Sequence, residues 1–362
     1  PIREPYRFAE LFSKKKSKTI SKGIIPKDKI SFSEKLLLFI RGNFFIPDAR
    51  VFWVKPSMKY LLKYLKNNPV DVVITTGPPH SIHLIGLELK HTLNCKWMAD
   101  FRDPWTTIHY HKDLKLTKKA KNKHLQLESE VLKNADKIIV TSPSTKNEFV
   151  QKTSKPVALI TNGFDDEFEI DKSPNPDNTF SIAHIGTLLS DRNPEILWEV
   201  LSELIHENEA FKLKLELKFA GVVSDSVKMS LKHYNLNSFS RFMGYIPHDE
   251  AIVLQRKAAV LLLLEIDRPE TRAILPGKLF EYLAAQRPII AIGPEKSDIE
   301  LILNETQAGI FFDSSKKKEL KREIMRLFEL HKENKLTVNS INVEQYHRKN
   351  LAEKMAEALK EM

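Results

Sequence analysis

The order of apolar runs and amphipathic stretches restricts this chain most. From residue 69 onward, short β-branched and apolar runs alternate with helical patterns. Residues 71–77, 95–101, 137–142 and 157–165 read as strands, and 81–94, 123–135 and 143–152 as helices. Strands of this kind, separated by helices, argue a parallel α/β sheet. The stretch 171–178, DKSPNPDN, has no apolar period and reads as a linker. After it the alternation restarts: strands over 180–186, 215–221, 242–246, 259–265, 289–292 and 308–313, with helices between them. The last two helices are expected over 315–333 and 343–360. The organisation expected is two consecutive α/β domains, 1–172 and 179–342, facing each other across a cleft. A closing helix over 343–362 is expected to pack back toward the first domain.

Composition sets the outer limits. A chain of 362 residues is long enough for two domains, and 42% hydrophobic content supplies their cores. There is no apolar run of about 20 residues to span a membrane and no secretory signal pattern. Cys95 is the only cysteine, which excludes an internal disulfide and a multi-cysteine zinc site. These features fit a cytoplasmic protein. The net charge of +10 is confined to one end: residues 1–68 hold 16 Lys and Arg against 5 Asp and Glu, leaving 41 against 42 elsewhere. Lys14, Lys15, Lys16 and Lys18 lie beside Phe8, Leu11 and Phe12. A basic segment with apolar anchors suits an anionic membrane surface, and a solvated basic loop is the alternative. Nucleic acid is not expected, because no nucleic-acid-binding motif is present.

In open α/β sheets ligands bind at the carboxyl ends of the strands. The loops to examine are therefore 77–81, 102–105 and 162–165 in the first half, and 186–193, 244–248 and 276–281 in the second. The last of these, PGKLFE, opens a helix whose Leu279, Phe280, Leu283 and Ala284 recur at core spacing. Lys278 and Glu281 are three apart and share a face of its first turn. They form either an exposed ion pair or a nucleotide site. In the second case the amides of the first turn and Lys278 hold phosphate, and Glu281 accepts from a ribose diol.

The ordered set HIGTLLSDRNPEIL, FMGYIPHDEAIVLQRKAAVLLLL and PGKLFEYLAAQRPIIA resembles the nucleotide-sugar domain of glycosyltransferase family 4, which has the GT-B fold. VITTGPPHS, ADFRDPW, ADKIIVTS and LITNGFD are similar to loops of the acceptor-side domain. The variant with RDPW and PGKLFEYLAA resembles enzymes of bacterial capsule, O-antigen and exopolysaccharide assembly. The resemblance covers roughly residues 44–362 (as a family comparison).

The resemblance implies an α/β, GT-B architecture of two Rossmann-like domains. It also implies a retaining, metal-independent transferase. The donor would be a nucleoside diphosphate sugar, with no further cofactor, and the acceptor a glycan or a lipid-linked sugar. The family assigns donor contacts to Gly186, Thr187, Arg192, Gly244, Tyr245, Ile246, Gly277, Lys278, Leu279 and Glu281. Arg192 and Lys278 match its cationic pair for the diphosphate, and Glu281 the glutamate expected on the ribose. His80, Arg102 and Asp103 fall where catalytic groups of the acceptor side are expected. An arginine stands there in place of the family's histidine, and arginine cannot act as a base near neutral pH. The first glutamate of the family's Glu-x7-Glu pattern would fall at Ala273. The first strand and Gly-rich loop of the family have no counterpart, so either the chain is an incomplete copy of its protein, which is the reading preferred, or the acceptor domain lacks its first strand. A GT-B sugar-nucleotide epimerase, a non-catalytic nucleotide-sugar-binding protein and a basic polyanion-binding protein are the alternatives.

Overall fold

The run Val260–Leu264 shows how this sequence builds a sheet: five consecutive apolar residues, all buried. Side chains of a strand alternate between faces. Val260, Leu262 and Leu264 enter one apolar core with Trp198, Phe219 and Phe328, while Leu261 and Leu263 enter a second with Leu279, Phe280 and Tyr282. A strand covered on both faces needs no polar alternation, as parallel sheets require.

In the computed structural model the described residues are 32–93, 95–108, 111, 114–165 and 176–362. The basic stretch with Lys14, Lys15, Lys16 and Lys18, and most of the expected linker, lie outside them. The chain divides into two compact units, one running through Ile160 together with Met355–Met362, the other Thr161–Lys354.

In the first unit α1 (Phe32–Phe44) and α2 (Val54–Asn67) precede β1 (Val72–Gly77). Then come α3 (Ser81–Leu93), β2 (Lys96–Phe101), α4 (Lys118–Asn134), β3 (Lys137–Val140), α5 (Pro143–Lys152) and β4 (Val157–Leu159). The four strands are parallel in the order β1-β2-β3-β4. Asp48 fixes the start of α3 by accepting from Ser81 N at 2.8 Å and Ser81 Oγ at 2.9 Å. Met58 and Leu61 of α2 pack on Ile85 and Leu89 of α3. The strand read over 157–165 stops at Leu159, because residues 161–165 turn to bond elsewhere. Phe164 N donates to Tyr346 O at 3.1 Å, and Asp165 pairs with Arg348. A Cβ on Gly163 would collide with the Tyr346 carbonyl oxygen.

The second unit runs β5 (Phe180–Ile185), α6 (Glu195–Glu207), α7 (Glu209–Lys214), β6 (Leu215–Ala220), α8 (Asp225–His233), β7 (Ser240–Gly244) and α9 (His248–Lys257). It continues with β8 (Val260–Leu264), α10 (Gly277–Ala285), β9 (Ile289–Ile292), α11 (Asp298–Thr306), β10 (Gly309–Phe312) and α12 (Lys317–Lys332), and the last helix, α13 (Arg348–Lys360), starts in this unit and from Met355 on belongs to the first. The closing helix expected over 343–360 is broken: Val343–Tyr346 is a 3-10 turn, and α13 begins after His347. At the end of α13, Ala358 O accepts from Lys137 Nζ at 2.9 Å.

All six strands are parallel, in the order β10-β9-β8-β5-β6-β7. From β5 the chain adds strands first on one side and then, through β8, on the other. Strand order therefore reverses between β5 and β8, and in a doubly wound sheet the ligand crevice lies outside the carboxyl ends at that point.

Candidate functional site

At the reversal point the loops after β5 and β8 and the first turn of α10 come together. Gly186 follows β5 with φ +119°, and a Cβ there would lie 3.4 Å from Lys278 Nζ. The α10 lysine thus hangs over the bare backbone of the β5 loop. Arg192, in a short 3-10 turn of the same loop, places Nη2 3.5 Å from Glu265 Oε2 at the end of β8. Two cations and a glutamate on separate elements share one small volume.

Lys278 and Glu281 are not an ion pair. The Lys278 ammonium lies 3.5 Å from His184 Nε2, while Glu281 Oε2 accepts from Gln255 Nε2 at 3.0 Å. Gln255 is fully buried in α9, and its Oε1 has no partner. The His184 ring is also fully buried, with Nδ1 3.0 Å from Leu262 O. A carbonyl only accepts, so Nδ1 carries the proton and the Nε2 lone pair faces Lys278. Burial, with Lys278 next, holds His184 neutral well below the usual histidine range.

The Lys278 pKa is pulled down to about 8, by burial first and by Arg192 next, with Glu265 and Glu281 opposing the fall. Glu265 is pushed up by burial, against the pull of Arg192 and Lys278. Glu265 Oε1 and Arg192 Nε are both buried without a hydrogen-bond partner. Unsatisfied buried atoms on charged groups are costly.

The other donor-side residues divide into two groups. Thr187 is exposed beside Gly186. Gly277 is exposed, and α10 has Pro276 at its N-cap with no side-chain cap. The Leu279 side chain is wholly in the core and its amide donates to Pro276 O at 3.0 Å, so Leu279 supports the turn and offers no free donor. Gly244 ends β7 with φ +66°, next to Tyr245, which is 89% exposed, and Ile246.

Four residues of this site have no role assigned by sequence reasoning: His184, Gln255, Glu265 and Gly221. Gly221 follows β6 with φ +116°, and a Cβ there would sit 2.5 Å from Gly186 O. Gly186 N donates to Ala220 O at 2.7 Å and Gly221 N to Gly244 O at 2.6 Å. The three strand-end glycines therefore stitch neighbouring loops by backbone alone. The signal was present, since β5, β6 and β7 are each followed or ended by glycine.

In the first unit His80 is 4% exposed and stacks on Trp105 at 5.0 Å and 3°. Neither of its ring nitrogens has a partner, and burial holds it well below the usual histidine range. Trp105 Nε1 donates to His124 Nδ1 at 3.1 Å, and His83 Nδ1 lies 2.9 Å from Thr75 Oγ1. These histidines are interior. Arg102 and Asp103 are half-buried after β2. Arg102 Nη1 lies 3.6 Å from Asp100, whose carboxyl is raised by burial. Arg102 N and O also bond to Gly77 O and Thr141 Oγ1, each at 2.8 Å, which anchors the loop across two strands.

Comparison with known families agrees with this geometry. Residues 25–168 match the family model for Glycosyltransferase Family 4, and residues 165–343 that for Glycosyl transferases group 1. Laid end to end, the two matches cover most of the chain, and it belongs to the GT-B glycosyltransferases. Sucrose-phosphate synthase from Thermosynechococcus elongatus superposes with a TM-score of 0.61 at 15% identity, covering 86% of this chain and 78% of that one. A glycosyltransferase from Rickettsia africae gives 0.59 at 16%, over 95% and 86%. HepE of Anabaena, solved with UDP and glucose, gives 0.59 at 14%, over 85% and 82%. At these identities the structures speak for the fold alone. No curated protein matches the chain.

Proposed function

We propose that the chain is a retaining glycosyltransferase of bacterial cell-surface polysaccharide assembly. It moves a sugar from a nucleoside diphosphate sugar to a glycan or lipid-linked acceptor. The observation that carries the donor assignment is the placement of Lys278 over Gly186, with Arg192 on the same loop. As the glycosidic bond breaks, charge builds on the leaving diphosphate, and fixed cations stabilise that charge without reorganising. Arg192 and Lys278 fill this role without a metal ion. The uncapped amides at the start of α10 add donors of the same sign.

Glu281 then reads the ribose hydroxyls, with Gln255 holding its carboxylate, and the Gly244-Tyr245-Ile246 turn reads the base edge. For retention, the acceptor oxygen bonds to the anomeric carbon on the face the diphosphate leaves. Its proton passes to a departing phosphate oxygen. Arg102 and Asp103 remain acceptor-side candidates for polar contacts to the sugar. His80, enclosed against Trp105, serves that loop from within. We place the enzyme in the cytoplasm, peripheral on the inner membrane face. Among the described residues no helix is long and apolar enough to cross a membrane.

A thermal-shift screen against nucleoside diphosphates tests the reading. One base should stabilise the protein, with the corresponding sugar nucleotide consumed only when acceptor is present. No stabilisation by any nucleoside diphosphate would refute it. Release of free sugar without acceptor would point to an epimerase.

A further inference from the structure

The outer face of α2 combines basic and aromatic side chains. Its inner face, Val54, Met58, Leu61 and Leu65, packs into the first unit. Its outer face carries Lys55, Lys59, Lys63 and Lys66, spaced by three or four residues and all exposed. Such spacing aligns side chains in one stripe. The helix holds no acidic residue. Within the stripe Tyr60 and Tyr64 are 66% and 49% exposed, and their rings stack at 6.0 Å. Phe52, 55% exposed, precedes the stripe on the same spacing. Its ring meets Phe45 edge-on at 5.8 Å, next to Phe44, which is 72% exposed.

We infer that α2 is a docking surface for an anionic lipid bilayer, with the lysines over the headgroups and the aromatic rings entering the interface. Charge complementarity selects the occupant: four lysines on a helix with no acid repel a basic partner and attract a negative one. The aromatics select a bilayer over a purely polar polyanion. Tyrosine rings settle at headgroup depth, apolar body inward and hydroxyl in water, and lysine stems extend alongside. Each lysine near such a surface strengthens binding several-fold, and salt screens the effect. The use of this surface rests on the reading above, in which a membrane-borne acceptor is glycosylated. The docking itself rests on α2.

The test is sedimentation of the full chain with phosphatidylcholine vesicles and with vesicles containing about one-third phosphatidylglycerol. The wild type should bind only the second, and lose that binding at high salt. K55Q/K59Q/K63Q/K66Q should weaken it by at least about tenfold, and Y60A/Y64A several-fold at unchanged charge. Thermal melts and the nucleoside diphosphate shift should match wild type in both, since these side chains face solvent. Equal sedimentation of wild type and the glutamine variant would overturn the inference. So would binding to heparin without binding to anionic vesicles. If vesicle binding follows α2 while no nucleotide stabilises the wild type, the docking surface stands and the transferase reading falls.

Discussion

Raising the pH from 7 to 9 should weaken nucleoside diphosphate binding, and Glu265→Gln should move that loss to lower pH. Lys278 has a pKa of about 8 in the folded, ligand-free protein. A pKa of 8 means about nine-tenths ammonium at pH 7 and about one-tenth at pH 9. A bound diphosphate adds negative charge beside Nζ and holds the proton on. Binding above pH 8 must therefore take up a proton, and affinity falls about tenfold between pH 7 and 9, or about 1.4 kcal/mol. Stability moves the other way: unfolded lysine titrates near 10.5, so through this group the folded state gains as pH rises from 8. Lost binding in this window is then distinct from unfolding.

Glu265 raises the Lys278 pKa through its charge. Glutamine keeps its shape and removes that charge, so the midpoint should move below 8. Calorimetric titration at constant ionic strength, from pH 7 to 9, reads both effects. Lys278→Met should bind weakly with a flat profile. An unchanged affinity across the range, or a fall that persists in Lys278→Met, would refute the assignment of Lys278 to the phosphates.

Glu281→Ala should weaken binding of a nucleoside diphosphate by roughly 1.5–3 kcal/mol, the range for hydrogen bonds to a charged group. It should leave a 2′,3′-dideoxy analogue nearly unaffected, and equal losses would remove Glu281 from the ribose. Arg192→Ala should lower turnover far more than the melting temperature; a variant that unfolds instead would make Arg192 structural. The basic residues Lys14, Lys15, Lys16 and Lys18 should also strengthen vesicle binding. Their replacement by glutamate should weaken sedimentation with anionic vesicles while sparing activity on a water-soluble acceptor. Acid should destabilise the first unit. Burial lowers His83 to about 3 and His111 to about 4, so both stay neutral in the folded state while the unfolded chain takes up protons below pH 6.5. Each should remove about 2 kcal/mol by pH 5, measurable as a drop in urea midpoint between pH 7.5 and 5 that His111→Phe partly abolishes.

The two α/β units were legible because parallel strands must be apolar on both faces, and runs such as Val260–Leu264 announce this without tertiary information. The loops of the site were legible for the same reason, since they follow those strands. The helices before β1 were left unread although Val54, Met58, Leu61 and Leu65 keep helical spacing. Lys55, Lys59 and Lys63 lie between them and Lys66 just after, so the helical signal rests on one face alone. His184 sits in a strand where every neighbour is core, so its periodicity reports burial and nothing more. That its ring meets Lys278 depends on a contact 94 residues away in sequence. Glu265 was hidden by its position: a charged residue closing an apolar run reads as the strand reaching solvent, yet this one is 5% exposed.

The acid at the end of β8 follows from the cations around it. Burial lowers the tendency of Lys278 to stay charged, and the nearby charge of Arg192 lowers it further. Without a counter-charge the Lys278 pKa would fall further below its ordinary value, and less of the side chain would be ammonium near neutral pH. Glu265 supplies that charge from the core side, at 3.5 Å from Arg192, and leaves the solvent side of both cations to the ligand. Its unpartnered Oε1 is the cost of that arrangement. An apolar residue at this position would pack better and bind worse. Glu265→Leu should therefore hold or raise the melting temperature while lowering nucleoside diphosphate affinity at pH 8. Loss of both together would mean that Glu265 serves the fold and that the charge argument is mistaken.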